Sequence, residues 1–290
     1  MTLKDAKNIR ERFVYADNLS EDDFFLYSEA MDFLIEQTKD PEYMLELGGV
    51  YYERRDFDMA LKYYEMSASF GNEDSSICLG YIWYYGRTGT VDYKKAFECY
   101  SAAPHHINAL YKVADMYKNG YYVEKDYEKY KEIIEDIYKN KIKREPYYIP
   151  EIYTRLAKIR TKEGKTDEAI ELYREAKEEL AFRIARNAFF GNIKIMKWLI
   201  EDLYKLTDID MDNIDFYDLF ELLKKPIKIG FYCDYNDKEY VVEAVEEDGE
   251  VIISFEGKWY RTIDDFFKKA EICGDRLVSA ALELYGFEVK

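Results

Sequence analysis

The residues with the most recognisable chemical spacing are three aspartates at alternate positions, Asp208, Asp210 and Asp212. A calcium loop of the EF-hand type takes acids at positions 1, 3 and 5, glycine at position 6 and a bidentate glutamate at position 12. Here position 6 is Asn213 and position 12 is Leu219, so the glutamate that would close the loop is missing. We therefore interpret the three aspartates as a helix-capping acidic loop and predict no metal site.

Side chains that could serve as nucleophiles or metal ligands are few and scattered. The two histidines, His105 and His106, are adjacent in a turn, and neighbours in sequence rarely point at one metal ion. The four cysteines are widely spaced without a Cys-x-x-Cys pair, which predicts reduced thiols. The sequence contains no glycine-rich phosphate loop of either common form. We therefore predict no catalytic residues and no cofactor.

The charge balance disfavours two classes of partner. The chain has 59 acidic residues against 42 basic ones, a formal net charge of −17. A nucleic-acid binder needs a basic field to neutralise phosphates, and an anionic membrane surface would repel an acidic protein in the same way. A basic strip between Lys139 and Lys162 is best interpreted as a solvated face. We expect a protein or peptide partner, no nucleic acid and no membrane.

Neither a membrane span nor a secretory leader is expected. No uncharged apolar run approaches the roughly 18 residues that a spanning helix needs. The N-terminal segment, MTLKDAKNIRERF, is charged throughout and has no apolar core. These features predict a cytoplasmic protein.

Tyrosine is unusually abundant, with 30 residues, and much of it belongs to a pattern that occurs three times between Tyr43 and Tyr138 and a fourth, more diverged time after Tyr138. In each copy an apolar residue precedes a glycine or alanine, and in the first three copies an aromatic residue follows three positions later. The small residues are 32, 34 and 43 positions apart, at Gly48, Gly80, Ala114 and Ala157. Such a period is typical of stacked helical hairpins, in which a small residue lets a second helix approach closely.

The copies resemble two related kinds of helical repeat. The second and third, LGYIWYYGRTGTVDYKKAFECYSAA and VADMYKNGYYVEKDYEKYKEII, resemble Sel-one-like repeats (SLR). The first and fourth, LGGVYYERRDFDMALKYYEMSA and LAKIRTKEGKTDEAIELYREAK, resemble tetratricopeptide repeats (TPR), which have shorter loops. The resemblance covers about residues 41–180 and implies an α-solenoid that mediates protein–protein contacts.

Two details of the copies can be checked against a structure. The longer copies have four extra residues in loops that begin with Gly86 and Gly120, and we expect these loops to form equivalent turns. The fourth copy has Arg160 at the position where the others have an aromatic residue, which departs from the pattern.

The segments on either side of the repeats also have helical patterns. Residues 1–40 are predicted to be N-terminal capping helices, with Ser20 as an N-cap. Residues 181–225 are predicted to form additional solenoid helices, interrupted at Gly191-Asn192, and the acidic loop.

The hydrophobic period changes from 3.6 to 2 beyond Pro226. The runs IKIGFYCDY, EYVVEAV and EVIISF indicate strands, joined by turns at Asn236-Asp237 and Asp248-Gly249. Helices are predicted to open at Thr262 and after Gly274. Residues 226–290 are therefore predicted to form a small C-terminal α+β domain with a three-stranded antiparallel sheet, and the whole chain to be mainly α.

The concave face of the solenoid is the predicted binding site. Positions one and four residues past the small residue tend to line that face, so we predict a groove that is aromatic at the first two copies, mixed polar at the third and basic at the fourth. Tyrosine is a favoured interface residue because it offers rigid contact area at low entropic cost. An open alternative is that several rings are buried between repeats. The predicted partner-binding residues are Tyr52, Glu53, Tyr81, Tyr84, Tyr85, Asp115, Lys118, Asn119, Lys158 and Lys162.

The leading functional hypothesis is a non-enzymatic scaffold or adaptor that holds a peptide or protein in this groove. One alternative is a small-molecule sensor or enzyme with a site where the solenoid meets the C-terminal domain, around Asp234, Tyr235, Glu239, Trp259 and Tyr260. Self-association through an uncovered edge of the EYVVEAV or EVIISF strand is also open. The insertion with Tyr147 and Tyr148 is either a longer connection between repeats or a protruding contact loop.

Overall fold

The computed structural model describes residues 1–14, 16, 19–236 and 238–290, and the backbone alone of Phe190. The predicted turn residue Asp237 lies outside the described residues. The chain divides into two compact units, Met1–Ile137 and Tyr138–Lys290.

The first unit is built from helices that pair with their neighbours in sequence. The pairs are α1 with α2, α3 with α4, α5 with α6 and α7 with α8, and each pair also contacts the next. These helices are α1 (Leu3–Phe13), α2 (Glu21–Thr38), α3 (Pro41–Glu53), α4 (Phe57–Ser69), α5 (Glu73–Tyr85), α6 (Tyr93–Ser101), α7 (Ile107–Asn119) and α8 (Tyr127–Asp136).

Local sequence sets where these helices begin. The predicted N-cap Ser20 accepts a hydrogen bond from the Asp23 backbone N–H, which satisfies one of the unpaired amides at the start of α2. Asp92 and Asp126 cap α6 and α8 in the same way, each accepting from the N–H three residues on. Pro41 occupies the first turn of α3, where its missing N–H costs nothing.

The loops of the second and third copies form equivalent turns, as predicted. Gly86 and Gly120 end their helices in the left-handed conformation, at φ 60° and 72°, which glycine adopts without steric cost. The Asp92 N–H donates to the Trp83 carbonyl, and the Asp126 N–H donates to the equivalent Tyr117 carbonyl. The two loops thus begin and close alike, but between these points positive φ occurs at Gly89 in the second copy and at Tyr122 in the third.

Gly48 and Gly80 lie in close contact with a tyrosine ring of the paired helix. A Cβ atom added at Gly48 would lie 2.7 Å from the Tyr64 ring, and one added at Gly80 would lie 2.4 Å from the Tyr100 ring. Ala114 is fully buried at the equivalent place in the third copy. The prediction that glycine or alanine lets the paired helix come close is therefore confirmed.

The second unit begins with the fourth copy. Its helices α9 (Ile149–Lys162) and α10 (Thr166–Arg186) pack against each other, and α10 also packs against α11 (Phe190–Leu203). Arg160 is buried at the aromatic position, where its guanidinium meets Glu168 at 2.6 Å and Glu163 at 3.1 Å. An ion-pair cluster therefore replaces the ring of the other copies.

The predicted helix break at Gly191-Asn192 is displaced. α10 ends at Arg186 and α11 begins at Phe190, so both residues lie in the first turn of α11. The interruption falls at residues 187–189 instead.

The C-terminal part of this unit is an antiparallel sheet with two short helices, α12 (Leu219–Leu222) before it and α13 (Ile263–Lys269) after its fourth strand. The strand order is β4-β3-β2-β1-β7, and β5 and β6 form a separate two-stranded ribbon. The strands are β1 (Ile227–Cys233), β2 (Glu239–Glu247), β3 (Glu250–Phe255), β4 (Lys258–Tyr260), β5 (Glu271–Ile272), β6 (Asp275–Arg276) and β7 (Leu284–Val289). The sheet core includes Phe231 and Phe255, with Phe266 of α13 packed against Phe255.

Two details of the predicted domain are corrected. The sheet has five strands in the described residues, not three, because β4 and β7 extend it on either side. The segment after Gly274 is not a helix, because it forms β6, a 3₁₀ turn and then β7, which pairs with β1. The turn at Asp248-Gly249 is confirmed, since both residues have positive φ, 52° and 80°, as a two-residue hairpin turn requires. The mainly helical repeat fold followed by an α+β domain is as predicted.

None of the described helices has both the length and the apolar composition that a bilayer crossing requires.

Candidate partner-binding surface

Three of the predicted residues lie on one face of helix α5. Tyr81, Tyr84 and Tyr85 are spaced by three and four positions, which places their side chains together on a helix. The rings of Tyr81 and Tyr85 are nearly parallel, with centroids 6.1 Å apart, and Tyr84 meets Tyr85 edge-on at 5.0 Å. Tyr81 and Tyr84 are half-buried, whereas Tyr85 is exposed.

Behind this face the rings join the core of the repeats. Tyr84 makes edge contacts with Tyr93, Tyr100 and Tyr121, at centroid distances of 5.5, 6.4 and 6.1 Å. Tyr93 and Tyr121 stack on each other at 4.3 Å. Burial, with the charge of nearby Asp115, raises the pKa of the Tyr84 hydroxyl. The rings on this face therefore pack between repeats and still present an edge to solvent.

Two basic residues, neither of them among the predicted binding residues, extend the aromatic face. The Lys112 ammonium of α7 donates to the Tyr85 hydroxyl at 3.1 Å and lies 5.2 Å from the ring centroids of Tyr81 and Tyr84. The Arg87 guanidinium lies 5.5 Å from the Tyr85 ring and 6.0 Å from the ring of Tyr52. Such distances allow cation–π attraction.

The sequence feature that could have identified each of these two residues is its position within the repeat. Arg87 directly follows Gly86, the residue that ends α5, and Lys112 precedes the small residue Ala114 by two positions. The positions taken as the binding face lie one to five residues past the small residue, which leaves out Arg87, seven positions past Gly80, and Lys112, two positions before Ala114.

Tyr52 and Glu53 are the predicted binding residues of the first copy. The half-buried Tyr52 ring meets Phe57 edge-on at 5.2 Å, and Glu53 is exposed at the end of α3. Because Arg87 lies near both the Tyr52 and Tyr85 rings, the aromatic residues of the two copies are linked. We call Tyr52, Tyr81, Tyr84, Tyr85, Arg87 and Lys112 together the tyrosine surface.

The predicted residues of the third copy lie along α7. Asp115 and Lys118 are half-buried, and the Lys118 ammonium lies 5.2 Å from the Tyr130 ring centroid. The exposed Asn119 side chain donates to the Asp115 carbonyl at 2.8 Å. These groups are polar, as predicted for the third copy.

The predicted residues of the fourth copy belong to the second unit. Lys158 of α9 forms an ion pair with Asp202 of α11 at 2.8 Å, and Lys162 is exposed at the end of α9. Their inclusion in one binding face with the first three copies stays a prediction. Tyr147, from the inserted loop, is exposed, but the Arg183 guanidinium lies 4.1 Å from its ring centroid.

The acidic and histidine segments form local polar contacts. Asp210 accepts hydrogen bonds from the Asp212 N–H at 3.1 Å and from the Asn213 side chain at 2.8 Å. The His105 ring contacts the Glu73 carboxylate at 2.6 Å. Across the described part of the chain, no group of three or more His, Cys, Asp or Glu side chains is placed to hold a metal ion.

The alternative site around the sheet is not assembled as a single cluster. Glu239, on β2, forms an ion pair with Lys290 at 2.6 Å, whereas Trp259 lies on β4. The strand β3 separates β4 from β2, so neighbouring-strand spacings of about 4.8 Å keep these residues apart. Trp259 and Tyr260 line a cavity of about 590 Å³ that contains none of the other three residues.

The prediction of an open edge on the EYVVEAV or EVIISF strand, which are β2 and β3, is wrong. β2 lies inside the sheet between β1 and β3, and β3 pairs with β4 on its other side. The outer strands of the described sheet are β4 and β7.

Comparisons with known proteins agree with the fold. Residues 152–183 match the tetratricopeptide repeat family model. A Sel1 repeat protein from Oxalobacter formigenes is 22% identical over 68% of this chain and 76% of that chain, with a TM-score of 0.50. A protective antigen of uropathogenic Escherichia coli strains with an SLR fold is 17% identical, with a TM-score of 0.50.

The second comparison covers 70% of this chain and 48% of that antigen, so this chain spans about half the antigen's length. The search of curated proteins gave no significant match. The chain therefore has an SLR/TPR-like repeat fold.

Proposed function

We propose that the protein is a non-enzymatic scaffold or adaptor that binds a peptide or protein segment, and that the tyrosine surface is its main contact. The observation that supports this is the set of linked rings on α3 and α5, which are anchored in the repeat core and partly open to solvent. Rings already held by neighbouring rings lose little conformational entropy when a partner binds.

The charges beside the rings favour a particular kind of segment. Arg87 and Lys112 supply two cations in a chain whose formal net charge is −17. A segment with an aromatic or aliphatic anchor and a nearby carboxylate would use both the rings and these cations. Asp115 and Lys118 would contact the segment further along α7. The proposal includes no nucleic acid, no membrane and a cytoplasmic location.

The test uses the two rings that can be removed with least damage to the core. Affinity purification from the native cell, followed by mass spectrometry, would compare the wild type with a Tyr52→Ala/Tyr85→Ala variant. Tyr122→Ala is the matched control, because Tyr122 is an exposed tyrosine of the same unit outside the tyrosine surface. Circular dichroism checks that all three chains fold alike.

We expect specific partners to be lost from the double variant and kept by the control. Purified partner segments should then bind the double variant at least about tenfold more weakly, a typical loss for interface aromatic residues. Equal recovery from all three chains would show that the tyrosine surface is not the binding site.

A further inference from the structure

The second unit contains a cleft that is separate from the tyrosine surface. Its volume is about 610 Å³, which is within the range of small-molecule sites. One wall is α10 from Arg174 to Phe182, and the other is the acidic loop from Asp208 to Asp218, with Leu203 and Tyr204 from the end of α11. We call it the α10 cleft.

The deepest polar groups of the cleft form a fixed network. The Asp218 side chain is 3% exposed, and its Oδ1 accepts hydrogen bonds from Lys177 Nζ at 2.5 Å and from the Tyr204 hydroxyl at 2.6 Å. Lys177 Nζ also lies 2.7 Å from Asp215 Oδ2. Burial and the bond to Asp218 raise the pKa of Tyr204, so its hydroxyl stays a donor. Lys177 is thus already neutralised by two carboxylates.

The remaining charges of the lining are mostly acidic. Apart from this network the lining has one basic residue, Arg174, and three acidic ones, Glu178, Asp208 and Asp210, and the formal charge of the whole lining is −3. Glu178 and Asp208 have no side-chain ion pair within 4.0 Å among the described residues. Both residues are exposed, so a positively charged ligand could reach carboxylates that are not already paired.

The walls of the cleft are apolar enough to hold more than a bare ion. Phe182 is 55% exposed and Leu282 is 46% exposed, although both line the cleft. Ala181, Leu203 and Phe216 supply further apolar surface. The hydroxyl of Tyr217, another lining residue, is buried without a hydrogen-bond partner in the described part of the chain. Buried polar groups are normally paired, so an unpaired hydroxyl in the wall of the cleft is unusual.

We propose that the α10 cleft binds an organic cation carried on an apolar chain, such as the side chain of an arginine or lysine. The cation would lie against Glu178 and Asp208, and the chain would pack on Phe182 and Leu282. The ligand's charge is opposite to that of the cleft, and its apolar stem covers side chains that are otherwise exposed to water.

The test titrates the whole purified chain with small cationic probes by calorimetry at low ionic strength. Nα-acetyl-arginine amide represents a peptide side chain, and cadaverine represents a free small amine, so the two probes distinguish these sources. Nα-acetyl-citrulline amide is the neutral control, because it keeps the shape of the arginine probe and lacks its charge.

Two aspartate variants test whether binding depends on a carboxylate in the cleft or on the overall negative charge of the protein. Asp208→Asn removes an unpaired carboxylate of the cleft, and Asp212→Asn makes the same charge change in the same loop at a residue that does not line it. We expect Asp208→Asn to weaken binding of a cationic probe by about fivefold, and Asp212→Asn to weaken it by less than twofold. Phe182→Ala should weaken binding of the arginine probe as well.

Three results would each overturn the proposal. They are no binding of either cation at millimolar concentration, equal binding of the citrulline control, and equal weakening by the two aspartate variants. The Tyr52→Ala/Tyr85→Ala variant should bind the probes as the wild type does, so loss of the tyrosine surface leaves this test intact.

Discussion

Gly48 and Gly49 are adjacent in α3, and their surroundings differ sharply. A Cβ at Gly48 would lie 2.7 Å from two atoms of the buried Tyr64 ring, whereas one at Gly49 would have only the Tyr64 hydroxyl oxygen nearby, at 3.9 Å. Replacing each glycine with alanine therefore distinguishes the effect of helix propensity on stability from the effect of packing. It tests the contact on which the repeat architecture depends.

We expect Gly48→Ala to destabilise the protein by about 1–3 kcal/mol, because overpacking forces the Tyr64 ring to move. Gly49→Ala should be neutral or stabilising by up to about 1 kcal/mol, because alanine favours the helix interior. Urea unfolding followed by circular dichroism measures both. If the two variants unfold at the same urea concentration, the close contact at Gly48 does not limit helix packing.

At the scale of single residues, the sequence predicted the residues at helix contacts better than the residues of the tyrosine surface. Gly80 could be assigned to a helix contact because it follows an apolar residue and precedes an aromatic residue by three positions, a pattern that recurs in the first and third copies. Arg87 and Lys112 could not, because a cation over a ring depends on where long side chains come to lie between copies. Arg160 was similarly ambiguous, since its burial depends on Glu163 and Glu168 reaching it.

At the scale of elements, periodicity predicted long helices well and short strands poorly. The paired helices of the repeats bury a stripe at each turn, so their pattern extends over many residues. β4 has only three residues, and β7 contains Gly286 at φ 65°, which interrupts its pattern. Both were missed for that reason. Their addition changes which backbone edges are open, because β4 covers β3 and β7 covers β1.

Removing β7 should therefore expose a strand edge that the full chain keeps paired. A chain ending at Glu283 would leave the outer backbone groups of β1 unpaired, and an open edge promotes association with another chain. Size-exclusion chromatography with light scattering should show dimers or larger species that the full chain lacks. Phe287→Ala is the control, because it removes the ring packed 5.0 Å from Phe231 and keeps the strand.

If the shortened chain has the same mass distribution as the full chain, covering β1 is not what limits association. Association of the Phe287→Ala control to the same extent would instead point to the lost ring packing.

At the scale of the whole molecule, the formal net charge of −17 should oppose the folded state. Like charges repel one another most in a compact chain. The exposed ion pairs offset little of this, since such pairs contribute about 0–1 kcal/mol each. More protected pairs, such as Arg183 with Glu151 at 2.7 Å, with side chains 10% and 14% exposed, are screened less by salt. Salt should therefore weaken the general repulsion more than it weakens these contacts.

We expect sodium chloride at about 0.3 M to raise the Tm of the protein by about 2–4 °C relative to a low-salt buffer, equivalent to about 1 kcal/mol for a chain of this size. Differential scanning calorimetry at pH 7 would measure the shift. A non-ionic solute at the same osmolality is the control, because it changes water activity without screening charge. A Tm that falls as sodium chloride is added would mean that specific ion pairs contribute more to stability than the excess of acidic residues takes away.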